Sequence, residues 1–188
     1  HWWMVVVMTK EEHIAIYRFI TLEDYSRYKN DMLQMYMDAF TKGENAQYIV
    51  ESVAESNIHD IIEKGFGVAA FVADTIAGFS LFMPLVYDKD YPSGEVEGIN
   101  IDESLYVAEV LVDCKYRGKG IATHMITHAV DKLKSRYSSF VLRVWKNNKP
   151  ALLLYKKLGF LPIATISQIK YKDANNPFEM EKIYLAKL

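Results

Sequence analysis

The stretch Val107-Ala-Glu-Val-Leu-Val-Asp-Cys-Lys-Tyr-Arg-Gly-Lys-Gly-Ile-Ala-Thr123 constrains this chain most. It passes from an apolar, strand-like run through a glycine-bearing turn into an amphipathic helix. Gly118 and Gly120 fall where the backbone must turn tightly, and where a Cβ would keep a ligand away from the main chain. The helix that starts near Ile121 aims unpaired N–H groups and its positive dipole end back at the turn, so this order of elements builds a cradle for phosphate. Two familiar glycine loops are excluded. A Walker loop needs Lys and Ser or Thr after its last glycine, but Ile121 and Ala122 stand there. A dinucleotide loop needs a third glycine where Thr123 is found, and an acid after the next strand, where the chain reads Arg143-Val-Trp-Lys146.

With 188 residues, half of them apolar, the chain is expected to form one domain over residues 1–188. The 22 basic and 24 acidic residues, net charge −2, supply no surplus for nucleic acid or an anionic membrane, and neither partner is expected. The sole cysteine, Cys114, can form no internal disulfide, which fits the cytoplasm. The apolar opening His1 to Met8 is far shorter than a membrane span and lacks a basic leader and a cleavage site. It reads either as an edge or swapped strand or as an extension foreign to the natural chain.

Residues 13–20 alternate as a first strand, and Thr21 with Asp24 makes a capping box for a helix. Tyr25, Tyr28, Met32, Met35, Tyr36, Ala39 and Phe40 form its apolar stripe, which reads as core with the alternative of a substrate mouth. A break at residues 43–45 leads to a second helix built on Val50, Val53, Ala54, Ile58, Ile61 and Ile62, ended by Gly65. Residues 68–73 and 76–83 read as a hairpin turning at Asp74-Thr75. Residues 87–103 hold six acids against Lys89 alone, either a solvated loop or a lure for a cationic acceptor. After the cradle come a helix from Ile121, a strand at 139–145, a helix with Pro150 in its first turn and Gly159 past its end, and a closing hairpin of 161–170 with 178–185. His124 and His128 have the spacing of two zinc ligands, but Met125 replaces the glutamate of the protease motif. They read as surface histidines, and no metal is expected.

Arg117-Gly-Lys-Gly-Ile-Ala122 and, downstream, Asn148-Lys-Pro-Ala-Leu-Leu-Leu-Tyr-Lys-Lys-Leu-Gly-Phe160 together resemble two motifs of the GCN5-related N-acetyltransferase (GNAT) superfamily. The resemblance covers residues 105–165 or so. It implies an α/β fold with a mixed central sheet of six to seven strands, four helices, and the order β-α-α-β-β-β-α-β-α-β-β. It also implies that the strands at 105–113 and 139–145 run parallel and splay apart to admit the arm of acetyl-CoA.

The implied reaction is direct acetyl transfer from acetyl-CoA to a primary amine of a small molecule, peptide or protein. The alternatives are a non-catalytic acyl-CoA-binding module and a protein interaction domain. By the resemblance, Arg117, Gly118, Lys119, Gly120, Ile121 and Ala122 hold the pyrophosphate, Asn148 meets the pantetheine arm, and a main-chain N–H near Leu111 or Val112 stabilises the thioester oxygen. An alkylammonium must lose a proton before it attacks, and Glu109, a carboxylate inside an apolar run, is the candidate base, with Glu103 or a water relay as alternatives. Tyr155, at the motif's tyrosine, is the candidate acid for the leaving thiolate, against the plainer reading of a packed core ring. Cys114 has no activating partner in the sequence and is not expected to act as a nucleophile. The acceptor's identity and the oligomeric state are open, with a homodimer among the expected forms.

Overall fold

The computed structural model describes residues 5–8, 14–43 and 46–188. His1 to Met4, His13 at the head of the first predicted strand, and Glu44-Asn45 of the predicted break lie outside the described residues. Within the described residues eight strands form one sheet: β1 (Val5–Met8), β2 (Ile14–Ile20), β3 (Phe66–Val72), β4 (Thr75–Pro84), β5 (Ser104–Val112), β6 (Ser139–Trp145), β7 (Leu161–Tyr171) and β8 (Pro177–Lys187). Four helices accompany them: α1 (Leu22–Thr41), α2 (Glu51–Lys64), α3 (Ile121–Leu133) and α4 (Lys149–Lys157). Among the described residues the strand order is β1-β2-β3-β4-β5-β6-β8-β7, with β5 and β6 parallel and the other neighbouring pairs antiparallel. Apart from β1, which adds an eighth strand at the sheet's edge, the elements follow the predicted order.

Local chemistry explains the boundaries. The main-chain N–H of Thr21 donates to the Asp24 carboxylate at 2.9 Å, closing the capping box that starts α1. The hairpin between β3 and β4 turns one residue earlier than predicted, on Ala73 and Asp74, which both take positive φ (47° and 63°) as a type I′ turn requires. Gly159 at φ 93° ends the α4 turn before Phe160 enters the core.

The core lies on both faces of the sheet. On one face α3 and α4 bury Met125, Ile126, Ala129 and Tyr155 against Phe82, Val107, Leu142 and Leu185. On the other, α1 and α2 bury Met32, Tyr36, Ala54 and Ile58 against Phe71, Phe79, Leu81 and Leu111. The acidic segment after β4 covers the rest of that second face, where Leu85 is buried with Tyr106, Val141 and Tyr184. The stripe of α1 is therefore core along most of its length, with Tyr25, Met32, Met35 and Tyr36 buried.

His128 departs from the surface reading. It is 5% exposed beside Phe19, with ring centroids 5.0 Å apart, and neither ring nitrogen has a hydrogen-bond partner among the described residues. It shares the buried face of α3 with Met125 and Ala129, three residues before it and one after. His124 is half-buried rather than free. Its ring stacks on Tyr17 and its Nδ1 lies 2.7 Å from the Gly120 carbonyl, so it braces the glycine turn.

Candidate active site

β5 and β6 pair only from Ser104 with Ser139 to Val107 with Leu142, and then part. Beyond that point β5 keeps β4 on one side and β6 keeps β8 on its other side, leaving a gap in the middle of the sheet. A bulge sits at the point of parting. Leu81 opposes Glu109 while Phe82 opposes Val107, so Ala108 has no partner and the strand bends there.

The strand edge facing the gap can be assigned. Asp113 N–H donates to the Ala77 carbonyl of β4, and the Glu109 carbonyl accepts from Ser80 Oγ. Main-chain groups alternate in direction along an antiparallel strand, so Leu111 also turns its N–H to β4 while Val110 and Val112 turn theirs to the gap. Of the two donors expected, Val112 faces the gap and Leu111 does not. Leu111 contributes its side chain to the groove wall instead. Arg117 folds back so that its Nε donates to the Val112 carbonyl at 3.3 Å, tying the turn to the strand end.

Three cavities run on from one another along this gap. The first is lined by Val112, Arg117, Gly118, Gly120, Ile121 and Ala122 at the glycine turn and by Ala151 and Tyr155 of α4. The second, about 530 Å³, occupies the gap itself between Glu109, Leu142, Asn148 and Tyr155. The third, also about 530 Å³, opens on the α1–α2 side around Tyr36, Glu109, Arg143, Lys170 and Lys182. Tyr155 lines the first two and Glu109 the last two, so together they span the chain of cavities.

The glycine turn fits a diphosphate. Gly118 and Gly120 have φ of 75° and 81°, and the space beside Gly118 holds no atom within 4 Å of where a Cβ would stand. Gly120 caps the 13-residue α3 in the left-handed conformation, leaving the first N–H groups of the helix aimed at that space. Asn148 caps α4 with its side-chain oxygen, which accepts from Ala151 N–H at 3.2 Å. With the oxygen so engaged, only the amide NH₂ is left for the contact expected of this side chain. The exposed Cys114 and Glu103 line none of these three cavities.

Burial pushes the Glu109 carboxyl up to about 7, against the opposing pull of Arg143, Lys182 and Lys170. No hydrogen bond or ion pair holds its carboxylate among the described residues, and it keeps part of its surface open to the groove. Tyr155 is 8% exposed, edge-on to Phe160 at a centroid distance of 6.0 Å. Burial first, and then the charge of Glu109, raises its phenol above the ordinary value. Tyr36 is raised by the same two causes in the same order. A group poised to accept a proton near neutrality and a phenol that stays protonated therefore face one groove.

The sequence motifs did not point to Arg143, Lys170 or Lys182. Arg143 Nη1 donates to both oxygens of Asp88 at 3.1 and 3.3 Å and to Tyr184 Oη at 2.7 Å. Asp90 accepts from Gln168 at 2.7 Å. Asp88 is thus bonded to Arg143 in the wall of the third cavity and Asp90 lies 4.0 Å from the same guanidinium, while that cavity's own charged lining is mainly basic. Its mouth is ringed by Tyr48, Val50, Val53, Ile169 and Tyr171, each between 46% and 61% exposed, and the Tyr48 N–H donates to the Tyr171 carbonyl to join the two sides.

A sheet split at a parallel pair and a glycine turn at a helix start, with Glu109 and Tyr155 lining the gap between them, are the fold and groove of an acyltransferase class. The model of the acetyltransferase (GNAT) family matches residues 29–160, and the chain belongs to this family. It is similar to "N-alpha-acetyltransferase 30" of Xenopus laevis, 42% identical over 57 residues, 30% of this chain and 21% of that protein. It is also similar to an N-alpha-acetyltransferase of Saccharolobus solfataricus, 29% identical over 129 residues, 63% of this chain and 71% of that protein. Among solved structures, yncA of Salmonella typhimurium, with its cofactor acetyl-CoA, superposes with a TM-score of 0.63 at 12% identity over 97% of this chain and 92% of that one. The chain thus spans about a fifth of the length of the Xenopus relative. No helix among the described residues is long and apolar enough to cross a membrane.

Proposed function

We propose that this chain is an N-acetyltransferase that moves acetyl from acetyl-CoA directly to a primary amine, with Glu109 as base and Tyr155 as acid. The observation that carries the reading is the groove itself. Its phosphate cradle, its acid and its base line three successive cavities in the order the chemistry needs.

When bound, acetyl-CoA supplies the activated carbonyl. The N–H groups at the start of α3 and the open space at Gly118 hold its diphosphate, with Arg117 and Lys119 adding positive charge. Val110 and Val112 offer main-chain groups to the pantetheine arm, and the Val112 N–H stands as a donor to the carbonyl oxygen as it gains charge. The acceptor amine enters through the third cavity. Glu109 takes one proton of the ammonium, the nitrogen attacks and forms the new C–N bond, the C–S bond breaks, and the Tyr155 phenol gives its proton to the departing sulfur. The second proton leaves the nitrogen as the amide forms and restores the phenol, and Glu109 releases its proton to solvent. The products are an amide and a free thiol.

The test is a thiol-release screen in which acetyl-CoA is offered with amines of several classes. Release above the acetyl-CoA hydrolysis background, with acetyl found by mass on the amine, supports the reading. Thermal stabilisation by acetyl-CoA without transfer to any amine would favour a binding module. No stabilisation at all would reject the site.

A further inference from the structure

We infer that the acceptor carries an oxyanion, a carboxylate or a phosphate, near its amine, and that Lys170 and Lys182 hold it in the third cavity. The inference rests on the reading of the groove as an acetyl-transfer site. Lys170 stands opposite Phe178, and Lys182 opposite Ile166, in the β7–β8 ladder, so both lysines share one face of the hairpin, and both line the cavity that contains Glu109. Arg143, the third cation there, is already matched by Asp88. Lys170 and Lys182 are half-buried, and neither makes an ion pair within 4 Å among the described residues.

Two ammonium groups in a common half-buried cavity disfavour one another, and their state here reflects it. Burial, then Lys170 and Arg143, bring Lys182 down to about 8, although Glu109 pulls the other way. Lys170 is lowered by burial first and by Arg143 next, with Asp90 and Glu109 opposing. Glu109 cannot serve as their counter-charge and as the base at once, because a carboxylate locked to an ammonium gives up its proton affinity. An anion brought by the acceptor relieves the repulsion only when the acceptor is bound, and leaves Glu109 free for the amine. A purely cationic acceptor such as a polyamine would meet like charges here, the opposite of the selectivity suggested by the acidic run at 87–103. Two acids of that run, Asp88 and Asp90, turn onto Arg143 and Gln168 instead. The exposed apolar mouth suits the carbon body of an amine that bears both charges.

The oxyanion can belong to a free amino acid or to an acidic side chain of a peptide, and two pairs of acceptors separate these sources. One pair is free glutamate and glutamate diamide. The other is two tetrapeptides that differ only in Glu or Gln at the second position. The expected result is a kcat/KM about tenfold or more higher for the charged member in one arm, in line with a charged hydrogen bond. That ratio should fall about tenfold in Lys170→Gln and Lys182→Gln and survive in Lys170→Arg. Because the ratio is taken within each variant, partial misfolding does not alter it. A ratio near one in both arms, a polyamine as the best acceptor, or variants that raise the KM for acetyl-CoA while the ratio holds would overturn the inference. If no amine is acetylated, the transfer reading fails. Calorimetry of the same pairs on coenzyme A-loaded protein then decides the anion site: tighter binding of the charged member, lost in the lysine variants, upholds it, and equal binding rejects it.

Discussion

Glu109 and Tyr155 belong to opposite faces of the sheet yet line one cavity, because β5 and β6 part after Val107 and Leu142. Glu109 shares the α1–α2 face with Leu111, two residues along the strand, while Tyr155 reaches in from α4. The charge of the carboxylate is felt at the phenol, where it helps to keep the proton in place.

Tyr155→Phe keeps the ring that packs against Phe160 and removes only the hydroxyl. With chemistry limiting, kcat is expected to fall by about 10²-fold or more, the usual loss for a general acid, with acetyl-CoA affinity and Tm nearly unchanged. Steady-state and single-turnover kinetics check this together. A variant with wild-type single-turnover rate would remove Tyr155 from the chemistry.

Gly118→Asp tests the cradle. The site has room for a side chain, so the variant should fold despite the strain of φ 75° in a non-glycine residue. The carboxylate would repel the diphosphate, and affinity for coenzyme A should drop by about tenfold or more. Gly120→Asp is the harsher change, since its Cβ would stand 3.4 Å from His124 Nδ1 and disturb the brace at the start of α3. Titration calorimetry with coenzyme A reads both. Unchanged affinity in folded Gly118→Asp would remove the turn from the binding site.

His128 gives the fold an acid sensitivity. Burial first, and Lys132 next, lower its pKa in the folded state, while Asp131 opposes them. The unfolded chain therefore binds more protons just below the ordinary histidine value, and stability is lost as the pH falls through about 6.5. His128→Leu keeps the contact with Phe19 and removes the titrating group. Tm of the variant should exceed that of the wild type at pH 5.5 by more than it does at pH 7.5. An equal difference at both would mean that the ring's charge does not matter to folding.

Much of this was legible in the sequence where a local pattern carried it. The glycine turn, α3, β6 and α4 follow from glycines, a proline and helical spacing within residues 105–160, and the structure places these elements as read. The third cavity was not legible. Arg143, Lys170 and Lys182 sit on three strands that meet only because β8 inserts between β6 and β7, and none of their spacings forms a motif. The acidic run was visible as composition, but its turn onto Arg143 depends on a contact 55 residues away in the chain. Leu111 and Val112 looked equivalent as donors until the register with β4 gave them opposite directions.

The pH dependence of kcat/KM in wild type and Glu109→Gln tests the account most directly, using an acceptor whose amine titrates well above pH 9. Glu109 acts as base only when ionised, and its carboxyl is held at about 7, so wild-type kcat/KM should rise with pH and level off above about pH 7. The folded pKa exceeds that of the unfolded chain, so ionisation is a cost to folding that grows as pH rises from about 4.5 through 7. Glu109→Gln should therefore lose about 10²-fold or more in rate, lose the inflection near pH 7, and melt higher than the wild type at pH 8 but not at pH 5. An inflection of the same position and size in both proteins would contradict the central claim that Glu109 is the base of this groove.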